Sequence, residues 1–201
     1  PALARSDQEI DAALTRDRVV YEALDDYFIE AHRIISRYGG IISRIDPYRE
    51  GNKILILFGA PRAHEDDPER AVRAALALHE ALAKFNRGWN RRFRATAGGE
   101  RPQPVQQRIG ITYGITFAGE VGSPTRREYT VMGDDVNLAA RLMSKAAPGQ
   151  IMISQRVWER IHSHFETETL EPFQLKGKQA PTQAYAVKAS TASILSVPIT
   201  S

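Results

Sequence analysis

A single α+β domain on a ferredoxin-like βαββαβ core, with a mixed sheet, helices on one face and a C-terminal extension, is what this sequence predicts. Three observations carry that expectation. The 201 residues, 42% hydrophobic and 25% charged, suffice for one good core. Helical and strand periodicities alternate along the chain, and glycine or proline marks most of the changes. The resulting order of helix, hairpin, helix, strand, strand, helix, strand is that core without its first strand.

Each element has a local reason. From Val20 to Tyr38 the apolar residues Val20, Leu24, Tyr27, Phe28, Ala31, Ile34 and Ile35 recur at three- and four-residue spacing, and Gly39-Gly40 stops the pattern. Ile41–Ile45 and Lys53–Phe58 are β-rich runs around a turn predicted over Asp46–Asn52, so a hairpin is expected. Asp67-Pro68 reads as a helix start, a capping oxygen followed by a residue that needs no N–H, and the helix is predicted to reach about Phe85. Asn86 to Gln107 lacks periodicity and reads as a long loop.

Arg108 to Phe117 alternates Ile109, Ile111, Tyr113 and Ile115 as a strand does, and Tyr129–Met132 is a second short strand. Gly133 turns the chain, and Asp134 or Asp135 is expected to cap a helix ending near Lys145. Ile151–Ile153 is a strand, Gln155 to His162 a helix, and Phe173–Leu175 and Ala184–Val187 are short strands. Residues 1–189 are expected to form the domain, and the Ser/Thr-rich residues 190–201 a linker or tail. No internal repeat interrupts this plan.

Composition removes several function classes. The chain has no cysteine, which excludes a disulfide framework, thiolate metal sites and a thiol nucleophile, and suits a reducing cytoplasm. No apolar run approaches the roughly 20 residues of a membrane span, and the N-terminus lacks a signal-peptide core. A formal net charge of +3 gives little general attraction to nucleic acid. The run Arg87, Arg91, Arg92, Arg94 and Arg101 reads as a solvated face, with docking of an acidic partner as the other reading.

The densest chemical signal is the block from Glu128 to Leu142. On a helix starting at Asp134 or Asp135, Asn137 and Arg141 are four residues apart and share a face near the positive N-terminus. An amide and a permanently charged fork together suit a phosphate-bearing ligand; an exposed arginine beside a capping asparagine is the bland reading of the same spacing. Three further groups read as structural. His64-Glu65-Asp66-Asp67 fits capping and surface charge, His162 and His164 lack a third ligand, and Asp134-Asp135 is a capping pair rather than a catalytic dyad.

This block resembles the signature of class III nucleotidyl cyclases, the family that makes cyclic AMP or cyclic GMP. The resemblance runs in order through Gly39-Gly40, Leu57-Phe58-Gly59-Ala60-Pro61, Glu65–Ala71, Arg108-Ile109-Gly110-Ile111, Gly119-Glu120-Val121-Gly122, Tyr129–Arg141, Pro148-Gly149-Gln150-Ile151 and Leu175-Lys176-Gly177-Lys178. It implies the class III cyclase fold. Because Pro1–Arg5 looks like the segment just after the family's first strand, that strand is expected upstream of Pro1.

The resemblance also implies a mechanism. Two such domains pair head-to-tail; one holds Mg or Mn through two aspartates, and the other supplies an asparagine and an arginine to the ribose and the α-phosphate. Asn137 and Arg141 match the latter pair. Arg44 and Thr130 match the base-reading positions, where no guanine-reading Glu/Cys pair stands, so ATP is the expected substrate. Lys176 matches a triphosphate-contacting lysine.

The metal half departs from the pattern, since Asn52 stands where the second metal aspartate should come after Gly51. With its longer hairpin turn, the chain is closest in pattern to the second, non-metal domain of soluble tandem adenylyl cyclases. Two functions are therefore implied. One is a cyclase half that turns ATP into 3′,5′-cyclic AMP and pyrophosphate at a dimer interface, its metal held mainly by a second cyclase domain in the same polypeptide or a separate chain. The other is an inactive pseudocyclase acting as a regulatory or dimerisation module. Either way the isolated chain is expected to be inactive, and neither nucleic acid nor a membrane is an expected partner.

Overall fold

The computed structural model describes residues 22, 24–48, 51–96, 103–123, 126–174 and 181–188. Lys176, Arg101 and the predicted tail over 190–201 lie outside the described residues, as does Leu175 at the end of the strand expected from Phe173.

Helix α1 (residues 24–37) ends where the periodicity predicts. Gly39, at φ 81°, takes the left-handed conformation that closes many helices, and the Gly40 amide reaches back to the Ile35 carbonyl at 2.9 Å. A side chain at Gly40 would collide with the Phe58 ring, so the chain can enter the hairpin closely only with glycine there.

Strands β1 (Ile41–Tyr48) and β2 (Gly51–Leu57) form that antiparallel hairpin. The pairing runs further than the sequence suggests: Asp46, Pro47 and Tyr48 sit opposite Lys53, Asn52 and Gly51 instead of forming a turn. Proline can enter a strand at an outer edge, where its missing N–H breaks no ladder bond.

Helix α2 (Asp67–Thr96) is 30 residues long and passes well beyond Phe85. The ring of Phe85 packs on Tyr27 at 5.5 Å and on Trp89 at 5.4 Å. Asn86 accepts from the Val105 amide at 3.0 Å and donates to its carbonyl at 2.8 Å. Those contacts hold the helix through a stretch whose Asn86 and Gly88 look like breakers.

Strand β3 (Ile109–Ile111) is short, and the chain then leaves the sheet before the hairpin of β4 (Phe117–Ser123) and β5 (Arg126–Met132). Helix α3 (Asp134–Lys145), β6 (Ile151–Ser154), α4 (Gln155–Ile161), β7 (Thr167–Thr169) and β8 (Ala184–Val187) come next. The main sheet has the order β3-β6-β8-β7, parallel between β3 and β6 and antiparallel elsewhere. Its central strand β6 is apolar up to Ile153 and wholly buried, as a strand covered on both faces must be.

Side-chain alternation along β6 divides the core. Ile151 and Ile153 pack with Val72 and Ala75 of α2 and Val157 and Ile161 of α4. Met152, pointing the other way, packs with Leu142 of α3 and its C-cap residue Ala146. Helices α2 and α4 thus share the face predicted for all helices, with α1 on α2 through Ala31, Ile35 and Leu78, whereas α3 covers the opposite face. The sequence could not show this, because alternating burial marks which residues are inside but not which face each helix takes.

The open edges of β2 and β3 border the same space. Among the described residues β2 pairs only with β1, and β3 only with β6. Both edges border one groove of about 1710 Å³, lined also by Ala31 and Ile35 of α1 and Leu78 of α2.

Candidate functional site

The site residues converge from the hairpin and from α3. Helix α3 lies against β3 at Gly110, which leaves no room for a side chain beneath the α3 backbone. Its first turn is tied to the loop after β3: the Thr112 hydroxyl donates to the Asp135 carbonyl at 2.8 Å, and Gly114 sits directly on the Asp135 carboxylate. Arg156 of α4 lies 3.8 Å from that carboxylate. The Arg160 guanidinium stacks over Tyr113 at 4.2 Å and holds the same loop from the α4 side.

Asp134 and Asp135 do not cap the helix as expected. Gly133 is the N-cap and no side-chain oxygen closes it; both acids instead lie in the first helical turn, where their charge favours the positive helix end. Asp67 is the first residue of α2. Its carboxylate accepts from the His64 amide at 2.7 Å and meets the His64 ring at 3.3 Å, closing the turn before the helix. Asp66 pairs with Arg70 at 2.8 Å, and that guanidinium holds its carboxyl below the usual range. His162 stacks on Trp158, and His164 reaches Glu69 at 3.0 Å, so the two histidines do not converge.

Asn137 is exposed and lines the groove together with Ala140, Met143 and Ser144 of α3. Across it stand Arg44, Tyr48 and Asn52 of the hairpin. Arg141, half-buried one turn beyond Asn137, is not part of the lining. Thr130 sits in β5 opposite Gly119, two residues before the end of the strand that leads into α3. The structure therefore brings Arg44, Asn52 and Asn137 to one groove, and it places Arg141 and Thr130 on the flanking helix and strand.

Three residues that no sequence pattern singles out belong to this region. Asp46 accepts a hydrogen bond from Arg44 Nε at 2.8 Å and lies 3.7 Å from Lys53 Nζ. The Ser144 hydroxyl donates to the Ala140 carbonyl at 2.9 Å, leaving Tyr48 to donate to Ser144 across 3.5 Å. Reading Asp46 to Asn52 as strand rather than turn would have exposed the first cluster, because residues two apart in a strand share a face.

The residues at the expected metal position do not fit a divalent cation. Asn52 offers a neutral amide in place of a carboxylate, and the cationic Lys53 comes directly after it, so the position lacks the negative charge that favours a hard divalent cation. Among the described residues no group of three or more His, Asp or Glu side chains is arranged to hold a metal, and no described helix is long and apolar enough to cross a membrane.

Comparison with known proteins places the sequence and the fold in one family. Adenylate cyclase 1 of Rhizobium meliloti (strain 1021) is 29% identical over 170 residues, 84% of this chain and 24% of that protein. An uncharacterized protein of Mycobacterium tuberculosis (strain CDC 1551 / Oshkosh) is 32% identical over 171 residues, 82% of this chain and 26% of its own length. The chain thus spans about a quarter of these curated relatives.

Among solved structures, the adenylyl cyclase CyaB from P. aeruginosa aligns with a TM-score of 0.72 and 29% identity, covering 87% of this chain and 85% of that one. The guanylate cyclase domain of RhGC from Catenaria anguillulae, solved in complex with GTP, aligns with a TM-score of 0.68 and 27% identity over 94% and 88%. Residues 9–189 match the family described as the adenylate and guanylate cyclase catalytic domain, and with the fold, the α3 block and these relatives in agreement, the chain belongs to that family.

Proposed function

We propose that this domain forms the half of an ATP-cyclising site that binds ribose and α-phosphate, and that it acts only with a metal-bearing cyclase domain. The observation that carries this reading is the groove itself: Asn137 and Arg44 line it, while Asn52 replaces the carboxylate expected there. Asn137 orients the ribose 3′-hydroxyl for attack on the α-phosphate. Arg141, one turn along, meets the charge that grows as the bond to pyrophosphate breaks. Arg44 and Thr130 read the base, and the missing guanine-type pair at those positions favours ATP. Lys176 adds a contact to the triphosphate. Mg or Mn would be held mainly by the partner domain.

A pairing surface supports this. Ile115 is 95% exposed, Phe117 59% and Met132 49%, and these apolar side chains lie at the base of the β4–β5 hairpin next to the start of α3. Such a cluster beside a site marks a protein contact. The groove between β2 and β3 in turn suits the family's first strand, which could pair with both open edges. With that strand in place, residues 1–189 form the domain, which we place in the cytoplasm.

The experiment mixes the purified chain with a cyclase domain that carries both metal aspartates and measures cyclic AMP from ATP with manganese. Product should appear with the mixture and be almost absent with this chain alone. Robust synthesis by the chain alone would overturn the half-site reading, and no synthesis from an assembled pair would favour the pseudocyclase alternative, which Asn52 supports if the chain pairs only with itself.

A further inference from the structure

We propose that Asp46 is a positioning residue that sets nucleotide preference by fixing which edge of the Arg44 guanidinium is offered to the purine; this rests on the reading of Arg44 as a base-contacting residue. The register of the β1–β2 hairpin shifts between Ile42 and Arg44, so Ser43 is the extra residue of a bulge. Bulges re-aim the side chains beyond them. Past this one Arg44 and Asp46, two residues apart, share a strand face, and Asp46 sits directly opposite Lys53. Arg44 Nε donates to Asp46 Oδ2 at 2.8 Å, and Lys53 Nζ lies 3.7 Å from the same oxygen. Arg44 lines the groove, whereas Asp46 does not. The carboxylate therefore holds the guanidinium from behind.

A guanidinium has two useful forks, the side edge of Nε with one Nη and the end edge of both Nη atoms. With Nε bound to Asp46, the side edge is taken and only the end edge faces a ligand. Guanine presents two adjacent acceptors, O6 and N7, which draw arginine bidentately, whereas adenine alternates donor and acceptor on the same edge. Releasing Arg44 frees a second fork, and guanine gains more from it than adenine does. Release also leaves Arg44 and Lys53 without their shared acid, and mutual repulsion turns the guanidinium away from its present setting.

The test is steady-state kinetics with ATP and GTP on the pair assembled with a metal-bearing domain, comparing Asp46→Ala, Asp46→Leu, Asp46→Asn, Asp46→Glu, Arg44→Ala and Arg44→Ala/Asp46→Ala. For Asp46→Ala, the ratio of kcat/KM for ATP to that for GTP should fall by about fivefold or more, through KM, with kcat for ATP within about threefold. Asp46→Glu should recover much of the ratio, and Asp46→Ala should add nothing once Arg44 is gone. If Asp46→Ala does not assemble, Asp46→Leu gives the same reading, since it keeps the side-chain volume and removes the acceptor, whereas the Asp46→Asn amide oxygen still accepts from Arg44 Nε and should keep much of the ratio. A ratio within about twofold of the parent in an assembled Asp46→Ala or Asp46→Leu pair, while Arg44→Ala shifts it, overturns the role of Asp46 and leaves that of Arg44 intact. An equal effect of Asp46→Ala with and without Arg44 also overturns it, since the residue then acts through something else. No change on Arg44→Ala itself overturns the base-contact reading beneath both.

Discussion

Gly110 of β3 lies so close to α3 that a side-chain carbon there would stand 2.6 Å from the amide nitrogen of Met143 and 3.0 Å from the Leu142 Cβ. Backbone, unlike the end of a side chain, cannot swing aside. Gly110→Ala must therefore push the helix that carries Asn137 and Arg141. It should destabilise the domain by about 1–3 kcal/mol, the range for overfilling a packed site. The assembled pair should lose activity by about tenfold or more, since small displacements of reacting groups are costly. Urea unfolding and turnover measured on the same preparation check both expectations.

Gly88 is the contrasting case. It lies within α2, and nothing stands within 4 Å of where its side chain would be. Gly88→Ala should stabilise by about 0.5–1 kcal/mol, because the unfolded chain loses freedom and the helix gains propensity. A rise in the urea midpoint with an unchanged slope is the expected result.

His79 gives a pH dependence with a definite sign. Burial pushes its imidazole below the ordinary value of 6.5, and its Nε2 is buried without a hydrogen-bond partner. In the window between that lowered value and about 6.5, the unfolded chain binds the proton and the folded chain resists it. This contribution to stability is present above about 6.5 and is lost as the pH falls through the window. Unfolding at pH 7.5 and 5.5 should show that loss in the parent and a smaller one in His79→Leu.

Much of the scaffold is written in local pattern. The α1 periodicity and its glycine stop, the buried run at β6 and the start of α4 all fall where the residues say, because each depends on neighbours in sequence. The failures depend on neighbours in space. Thr112 to Thr116 continues the alternation of β3, yet the chain departs from the sheet where Gly114 meets Asp135 and leaves Ile115 almost wholly in solvent. A strand pattern records an apolar face, and here that face belongs to a surface rather than the core.

Strand β7, the polar Thr167–Thr169, carries no apolar alternation and is held by pairing to β8. At the candidate site, resemblance to the family pointed to Arg44, Asn52 and Asn137, which the structure brings to one groove. Tyr48 and Ser144 were not legible in the sequence, since their contact arises from the extended hairpin lying across α3, and Asp46 was hidden because its segment reads as a turn.

The proposed role of Arg141 makes the sharpest demand on kinetics. If it stabilises charge on the α-phosphate, Arg141→Ala in the complemented pair should lower kcat by about 10²-fold or more, the scale for losing one preorganised charge stabiliser. KM should barely move, because the interaction matures only as the bond to pyrophosphate breaks. Asn137→Ala should act in the same direction. Because both residues serve one reacting centre from the same helix, the double variant should fall short of the product of the two losses. Arg44→Ala should instead raise KM and alter the ATP to GTP ratio. Assembly of each pair is checked first by sedimentation, so that a lost dimer is not read as lost chemistry. If Arg141→Ala keeps kcat within about threefold of the parent, less than the ~1.4 kcal/mol of a tenfold effect, this helix does not supply the transition-state charge, and a regulatory role for the domain becomes the better account.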